Sequence, residues 1–454
     1  MKHSGLMLTS LALCCSLANA ASDSTLTGDT LHIPHVMYGG MMYDVKMKFQ
    51  APDKLILQTA TPITSMPMNP AVMVSKDLKF SLSEIAFGNK YYKANIASLS
   101  DTEFQATGIS ETMPDNSMGT VKSFTDLGII ENGKDSYAYA VSDDGTVITG
   151  KVRDNDRNSF PARFDYTQGN IETLTDLGGG RPRPTAANNT GAIAGYGTLK
   201  TEEGAPRVYN AFYNKSGADL VNLGTLGGTD SRALGMNNSD MLVGWSASKA
   251  DNSDHVAFMT DASSATPVLK PLEGELLGGE RSFAFDINDA NQIAGVATKA
   301  DGSAIAFVYK DGVTTELGSL DDSGYSEARA INDKGETTGW SLTTSGKYAA
   351  FMHDGTTMTE LPGLGGDTQA FDINTHGHIV GSARDTEDNR HAFVYKDGHL
   401  MDLYKMIPAA DKEKWKELRE AYSISDDGVV VGRGRFWTDK AEDKSASRAY
   451  RIQL

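Results

Sequence analysis

The sequence predicts an all-β chain, a seven-bladed β-propeller preceded by a small all-β, sandwich-like domain. Three observations carry that prediction. First, a unit ending in an Ile-x-Gly type element recurs, with its closing glycine at Gly150, Gly195, Gly244, Gly295, Gly339, Gly381 and Gly432, 42 to 51 residues apart. A period in that range without a helical pattern belongs to propellers rather than to helical solenoids. Second, each unit holds four short alternating or β-branched and aromatic runs. In the unit around Gly339 they are residues 328 to 331, 336 to 341, 349 to 353 and 356 to 361, and four strands per repeat make a propeller blade. Third, the repeat region begins with a fourth-type run at residues 121 to 127 and stops with a third-type run at residues 448 to 454. The first can complete the last blade, and seven blades result without a free edge at the junction.

Taken in order, residues 1–20 combine Lys2, an apolar run over 6 to 17 and Ala18-Asn19-Ala20. That pattern predicts a secretory signal peptide cleaved near Ala20. The only cysteines, Cys14 and Cys15, fall inside it; Leu13, where lipidation of Cys14 requires a small residue, argues against a lipoprotein. A cysteine-free mature chain has no disulfides, so burial must hold the fold. Residues 21–110 form the small domain with an internal duplication. Tyr38-Gly39-Gly40-Met41-Met42-Tyr43 matches Phe87-Gly88-Asn89-Lys90-Tyr91-Tyr92 at an offset of 49 residues, and each half reads as a hairpin plus a strand. Residues 111–120 are a polar linker, and residues 121–454 are the propeller.

Within a unit the turns are written plainly. Asn332-Asp333-Lys334-Gly335 joins the first strand to the second, and Lys310-Asp311-Gly312 and Lys396-Asp397-Gly398 join the third to the fourth, because Asn, Asp and Gly tolerate the positive φ of tight turns. Both kinds of turn lie on one face. The other face carries connections of variable length: Ala392 follows Gly381 by 11 residues, whereas Ala449 follows Gly432 by 17. Variable loops on a rigid scaffold are where binding resides. Gly145 to Gly150 is one residue longer than Gly335 to Gly339, which predicts a β-bulge in the first unit. Residues 408 to 420, rich in Lys, Glu and Ala, predict a short helix.

Leu223-Gly224-Thr225-Leu226-Gly227-Gly228, Ile331-Asn332-Asp333-Lys334-Gly335 and His391-Ala392-Phe393 resemble the repeats of the extracellular HAF repeat family of bacterial proteins. The resemblance covers residues 121 to 454. It implies a secreted, propeller-like repeat protein and brings no biochemical activity with it.

Charge bounds the partners. Forty-two Lys and Arg stand against 59 Asp and Glu, a formal charge of −17, which opposes nucleic acid and anionic membrane surfaces alike. The chain is therefore expected to be secreted, extracellular or periplasmic, without membrane insertion, and to meet an extracellular glycan or protein. No cofactor and no metal site are expected. The acidic turns Ser142-Asp143-Asp144-Gly145 and Ser425-Asp426-Asp427-Gly428 lack the later bidentate carboxylate of a calcium loop. His376, His378, His391 and His399 share one repeat but are split between its faces. Asn188, Asn237, Asn288, Asn332 and Asn374 follow each first strand, where an asparagine caps its own turn; the alternative is a ring at the channel mouth.

The candidate ligand-binding residues are Arg181, Arg183, Arg232, Arg281 and Arg329, which recur where the Leu-Gly-Gly type segment enters the innermost strand, together with Trp245 and Trp340, which follow the closing glycine. Arginines around the opening can take a carboxylate, a sulfate or an acidic sugar bidentately. They can equally pair with Asp230, Glu280 and Glu327, and the tryptophans can fill the gap between blades. No catalytic constellation is present: there is no Gly-x-Ser-x-Gly elbow, no His-Glu-x-x-His and no phosphate loop. The expected function is that of a non-catalytic binding protein presenting its variable-loop face; the alternative is a carbohydrate-active hydrolase or lyase using carboxylates such as Asp230, Glu280 or Asp322 there.

Overall fold

The computed structural model describes residues 121–454, apart from 203, 204, 217 and 275, and the strands between residues 25 and 111. The predicted signal segment and the predicted linker after Glu111 lie outside the described residues. Seven strands, β1 (Thr25–Thr27), β2 (Thr30–Tyr38), β3 (Met41–Ala51), β4 (Lys54–Ile63), β5 (Lys79–Phe87), β6 (Lys90–Ser98) and β7 (Glu103–Glu111), precede the propeller. The duplication is visible as two meanders, β2-β3-β4 and β5-β6-β7. They join edge to edge, β4 to β7 and β1 to β5, in one closed barrel where the sequence pointed to a sandwich-like arrangement. Edge pairing satisfies backbone groups that stacked sheets would leave open.

The rest of the chain is seven four-stranded antiparallel sheets, a seven-bladed β-propeller. Blade 1 comprises β9 (Gly133–Val141), β10 (Ile148–Asp154), β11 (Ser159–Asp165) and β12 (Asn170–Thr173). Blades 2 to 6 begin with the innermost strands β13 (Arg183–Ala187), β17 (Ser231–Met236), β21 (Gly278–Ile287), β25 (Ser326–Ile331) and β29 (Gly365–Ile373), each followed by its other three in chain order. Blade 7 takes β33 (Trp415–Ile424), β34 (Val429–Asp439) and β35 (Lys444–Gln453) from the C-terminal end and β8 (Ser123–Asp126) from the other side of the repeat region. Ile452 pairs with Phe124, and Tyr450 with Asp126. Phe124 also lies edge-on to Trp415, with ring centres 5.4 Å apart, so aromatic packing seals the closure. Several outermost strands are very short, two residues in β16 (Val221–Asn222) and β20 (Lys270–Pro271), which leaves little edge for foreign pairing.

One local device recurs in every blade. The innermost strand slips by one residue against the second strand, at Tyr139, Thr185, Leu234, Phe285, Arg329, Phe371 and Tyr422. The bulge is thus universal and is not caused by the extra residue of the first unit. That residue enlarges the turn instead, where Ser142 N–H donates to the Val147 carbonyl and Asn188 N–H, its counterpart, to that of Ala192. Beside each bulge sits the closing glycine. A Cβ at Gly295 would overlap the Phe283 carbonyl oxygen and the Phe307 ring, and one at Gly381 would overlap the Gln369 carbonyl and the Phe393 ring. The aromatic of the Ala-Phe strand faces that glycine in register, Phe212 at Gly195, Phe258 at Gly244 and Phe351 at Gly339, and all three rings are fully buried.

The repeated asparagines do more than cap their turns. Asn332 Oδ1 accepts from Lys334 N and Glu336 N of its own turn, while its Nδ2 donates 2.9 Å to the Asn374 carbonyl of the next blade. Asn188, Asn237 and Asn288 reach Asn237 O, Asn288 O and Asn332 O in the same way, and Asn374 reaches Ser425 O. Five buried side chains therefore link six blades in series. The helix predicted over residues 408 to 420 shrinks to α2 (Ala409–Lys412), preceded by α1 (Leu403–Met406), because residues from Trp415 onward belong to β33.

Replacing Asn332 by alanine removes two donated and two accepted hydrogen bonds from a buried site, and is expected to lower unfolding free energy by roughly 1–3 kcal/mol. Lys310→Ala, at an exposed turn, is expected to stay within about 0.5 kcal/mol. Urea denaturation of the two variants beside the parent measures both.

Candidate functional site: the central channel

The slipped residues line the channel, so the bulge is what turns one side chain per blade toward the axis. Tyr139, Thr185, Leu234, Phe285, Arg329, Phe371 and the neighbouring Tyr422 surround a cavity of about 140 Å³. The channel has two chemically different ends.

Toward the tight-turn face it is acidic. Asp143, Asp289, Asp333 and Asp426 occur at equivalent turn positions, and Asp286 and Asp372 lie deeper. Asp286 accepts 2.9 Å from Ile331 N, and Asp372 accepts 2.8 Å from Ile424 N, each on the following blade. Burial pushes Asp286 up to about 8, with the charge of Asp372 adding to it. Burial raises Asp372 to about 7, opposed by the hydrogen bond from Ile424. Asp143 rises to about 6 through burial and through Asp426, Asp289 and Asp333, although Asn238 Nδ2 donates to it at 2.9 Å. Among the described residues no three His, Cys, Asp or Glu side chains converge as metal ligands.

Toward the variable-loop face the channel is basic and aromatic. Two residues before the bulge, the innermost strands carry Tyr137, Arg183, Arg232, Phe283, Glu327, Gln369 and Glu420, and opposite them, just after the closing glycines, stand Lys151, Tyr196, Trp245, Val296, Trp340, Ser382 and Arg433. Blades 1 to 3 thus present three consecutive cation–aromatic pairs. Arg232 lies 4.9 Å from both the Tyr196 and Trp245 ring centres, and Arg183 lies 4.6 Å from Tyr139. Across the channel, charge is cancelled. Glu420, 2% exposed, is held by Arg433 at 2.7 Å and Arg390 at 2.7 Å. Burial alone would raise the Glu420 carboxyl, but Arg433 and then Arg390 outweigh it and hold it below its ordinary range.

The five arginines are staggered in depth, not set in one ring. Arg183 and Arg232 are equivalent, Arg329 occupies the bulge two residues further in, Arg281 lies two residues further out, and Arg181 precedes β13. Arg232 pairs with Asp230 at 3.3 Å, and Arg329 with Glu327 at 3.5 Å while covering the Phe285 ring at 3.9 Å. Trp245 and Trp340 are buried between blades, against Phe283 and Phe371 of the next blade. Of the alternative carboxylates, Asp230 is engaged with Arg232, while Glu280 and Asp322 are exposed on segments near blades 4 and 5. His391 sits between Asp402 at 3.1 Å and Asp385 at 3.2 Å, and its hydrogen bond to Asp402 raises its pKa. Sequence reasoning passed over Lys151, Tyr139, Glu420 and Arg433. The signal for Lys151 and Arg433 was present, since they occupy the position of Trp245 and Trp340 in their own repeats.

This geometry defines a propeller with an open, cationic and aromatic mouth on its variable-loop face. No family model and no curated protein matches the chain. Among solved structures, the β-propeller domain of the trilobed protease from Pyrococcus furiosus is 12% identical, with 70% of this chain and 94% of that one covered at a TM-score of 0.46. TolB from Acinetobacter baumannii is 12% identical, with 61% of each chain covered and a TM-score of 0.38. Dipeptidyl peptidase 4 from Porphyromonas gingivalis is 11% identical over 92% of this chain and 65% of its own, at 0.38. The propeller assignment rests on the seven sheets themselves, and no activity passes from these proteins to the present chain.

Because Asp286 and Asp372 take up protons more readily folded than unfolded, they favour the folded state most at low pH, and that contribution is lost as pH rises from about 4 through 7 and 8. The melting temperature of the parent is expected to fall across that window relative to Asp286→Asn/Asp372→Asn, whose amides still accept the Ile331 and Ile424 bonds. Differential scanning calorimetry at pH 4, 6 and 8 reads the difference.

Proposed function

We propose that the protein is a non-catalytic binding protein that receives an acidic extracellular partner at the variable-loop mouth of its channel, with an acidic glycan as the favoured ligand. The observation that carries this reading is the run of cation–aromatic pairs Tyr137·Lys151, Arg183·Tyr196 and Arg232·Trp245 on three adjacent blades, in a chain whose formal charge is −17. An acidic protein keeps a local basic surface against its own field only at a cost, and guanidinium groups on aromatic faces are suited to carboxylate and sulfate groups carried on sugar rings. Secretion after cleavage near Ala20 and membership of the extracellular HAF repeat family are parts of the same proposal, supported by the signal-like segment and the in-register repeats. Among the described residues no helix is long and apolar enough to cross a membrane.

An array of acidic glycans probed with the purified protein tests the reading. Arg232→Ala/Arg281→Ala is expected to weaken capture at least about tenfold. Since Arg232 stacks on three rings, the double variant is expected to lose about 1 kcal/mol of stability. Lys310→Ala, on the tight-turn face, is expected to leave capture unchanged. Binding that survives the double variant, or capture of neutral glycans alone, refutes the proposal.

A further inference from the structure

Two cations of the channel mouth form no ion pair among the described residues, and they share one aromatic ring. Lys151 on β10 and Arg183 on β13 of the next blade both stand over Tyr139, with Lys151 Nζ 5.9 Å and Arg183 Cζ 4.6 Å from its centre. Lys151 Nζ also lies 4.8 Å from the Tyr137 ring, which stacks on Tyr139 at 5.9 Å. The other charges around them are already engaged. Arg153 is paired with Asp135, whose second oxygen accepts from Ser447 N at 3.0 Å, and Arg433 is paired with Glu420. Among the described residues neither Lys151 nor Arg183 has a carboxylate within ion-pair distance.

Two like charges held over one ring without an ion-pair partner oppose folding, and a sequence optimised for stability alone would replace one of them. Trp245 and Trp340 show what the same position holds in other blades. An uncompensated pair of cations, walled by aromatic rings and open to the channel, is what an oxyanion site looks like before its ligand arrives.

We propose that Lys151 and Arg183 form a subsite for a single oxyanion, the carboxylate of an acidic sugar residue, at the variable-loop end of the channel. This rests on the glycan-binding reading above and adds to it the position and charge of one recognised group. The arginine offers two parallel N–H donors to the two carboxylate oxygens, the lysine adds a compact positive charge, and the tyrosine faces limit the water that would otherwise screen both.

Titration of the lysine agrees with this arrangement. Burial, together with the charges of Arg183, Arg153 and Arg433, lowers Lys151 to about 8 against the opposing pull of Asp135, while Tyr137 and Tyr139 contribute their ring faces. A bound carboxylate reverses that balance and favours the ammonium. Affinity is therefore full below about pH 8 and falls as pH rises, by up to about tenfold per unit, as the free lysine loses its proton. Arginine in its place stays charged throughout.

The test is calorimetric titration of the purified full-length protein with glucuronate and, separately, with inorganic sulfate. At pH 7, Lys151→Met and Arg183→Gln are each expected to weaken glucuronate binding at least about tenfold, while Lys151→Arg retains it. Between pH 7 and 9.5 the parent is expected to lose up to about thirtyfold and Lys151→Arg to stay level. Lys151→Met keeps the aliphatic stem on the rings and removes a repelled charge, so its melting temperature is expected to equal or exceed that of the parent, which separates lost binding from lost fold. Glucuronate binding that is absent in the parent, or unchanged in both variants, overturns the subsite; if Arg232→Ala/Arg281→Ala still abolishes capture of an acidic glycan, the broader reading stands without it. Dependence on Lys151 and Arg183 seen for sulfate alone overturns the carboxylate assignment. Glucuronate binding with the expected dependence, but no glycan captured on the array, upholds the subsite and removes the glycan.

Discussion

Everything in this propeller depends on a steric bargain between a bulge and a glycine. Slipping the innermost strand by one residue drives a backbone carbonyl into the second strand, and only a residue without a Cβ can lie beneath it. The aromatic of the third strand then closes over the same glycine from its other side. In blades 2 to 7 one backbone contact and that ring fix the register, whereas in blade 1 Ala162 stands opposite Gly150, and every blade spends the slipped residue on the channel. The bulge is at once what twists the blade and what supplies the channel lining, so the scaffold and the candidate site cannot vary independently at those seven positions.

The asparagine series solves a different problem. Blades pack through apolar faces that would tolerate some sliding, because dispersion and hydrophobic burial are not directional. A buried amide with one acceptor in its own turn and one donor to the next turn is directional, and leaving either unmade is costly. Serines replace asparagine at the corresponding turns of blades 1 and 7, where Ser142 Oγ and Ser425 Oγ accept from Val147 N and Val429 N of their own turns. There the contact between turns passes to the backbone, with Asp426 N donating 2.8 Å to Asp143 O. The break in the series falls where the two ends of the repeat region meet.

Most of the architecture was legible because it is written in residues with few other uses: the closing glycine, the Asp-Gly turns with Asp311 and Asp397 at positive φ, and the complementary ends at residues 121 and 454. The second half of the predicted helix was misread for a physical reason. Three slips in β33, after Trp415, Leu418 and Ala421, put its buried apolar residues Trp415, Leu418, Ala421 and Ile424 at intervals of three. The helix was read from the Lys, Glu and Ala content of residues 408 to 420, and composition does not distinguish a helix from a strand bulged in this way. The channel was only partly legible. Arginines were visible as a recurrence, but their stagger depends on which residue of each strand is slipped, and the cancellation of Arg433 by Glu420 depends on pairing across strands that no local pattern records.

Closure by strands from both ends of the repeat region also sets the order of events in folding. Ala449 N donates to Ser136 Oγ across 313 positions of sequence, and blade 7 has no fourth strand until β8 is brought to β35. Blades 1 to 6 are each continuous in the chain and can form as local meanders, whereas the last sheet must wait for a pairing across more than 300 positions, the kind of encounter that carries a large loop-closure entropy and slows folding. A chain emerging in order from its N-terminal side holds six complete sheets and an open ring until β35 is free. The channel, with both of its chemically distinct ends, therefore comes into existence only with the last strand, and an interrupted chain presents loops without a mouth between them.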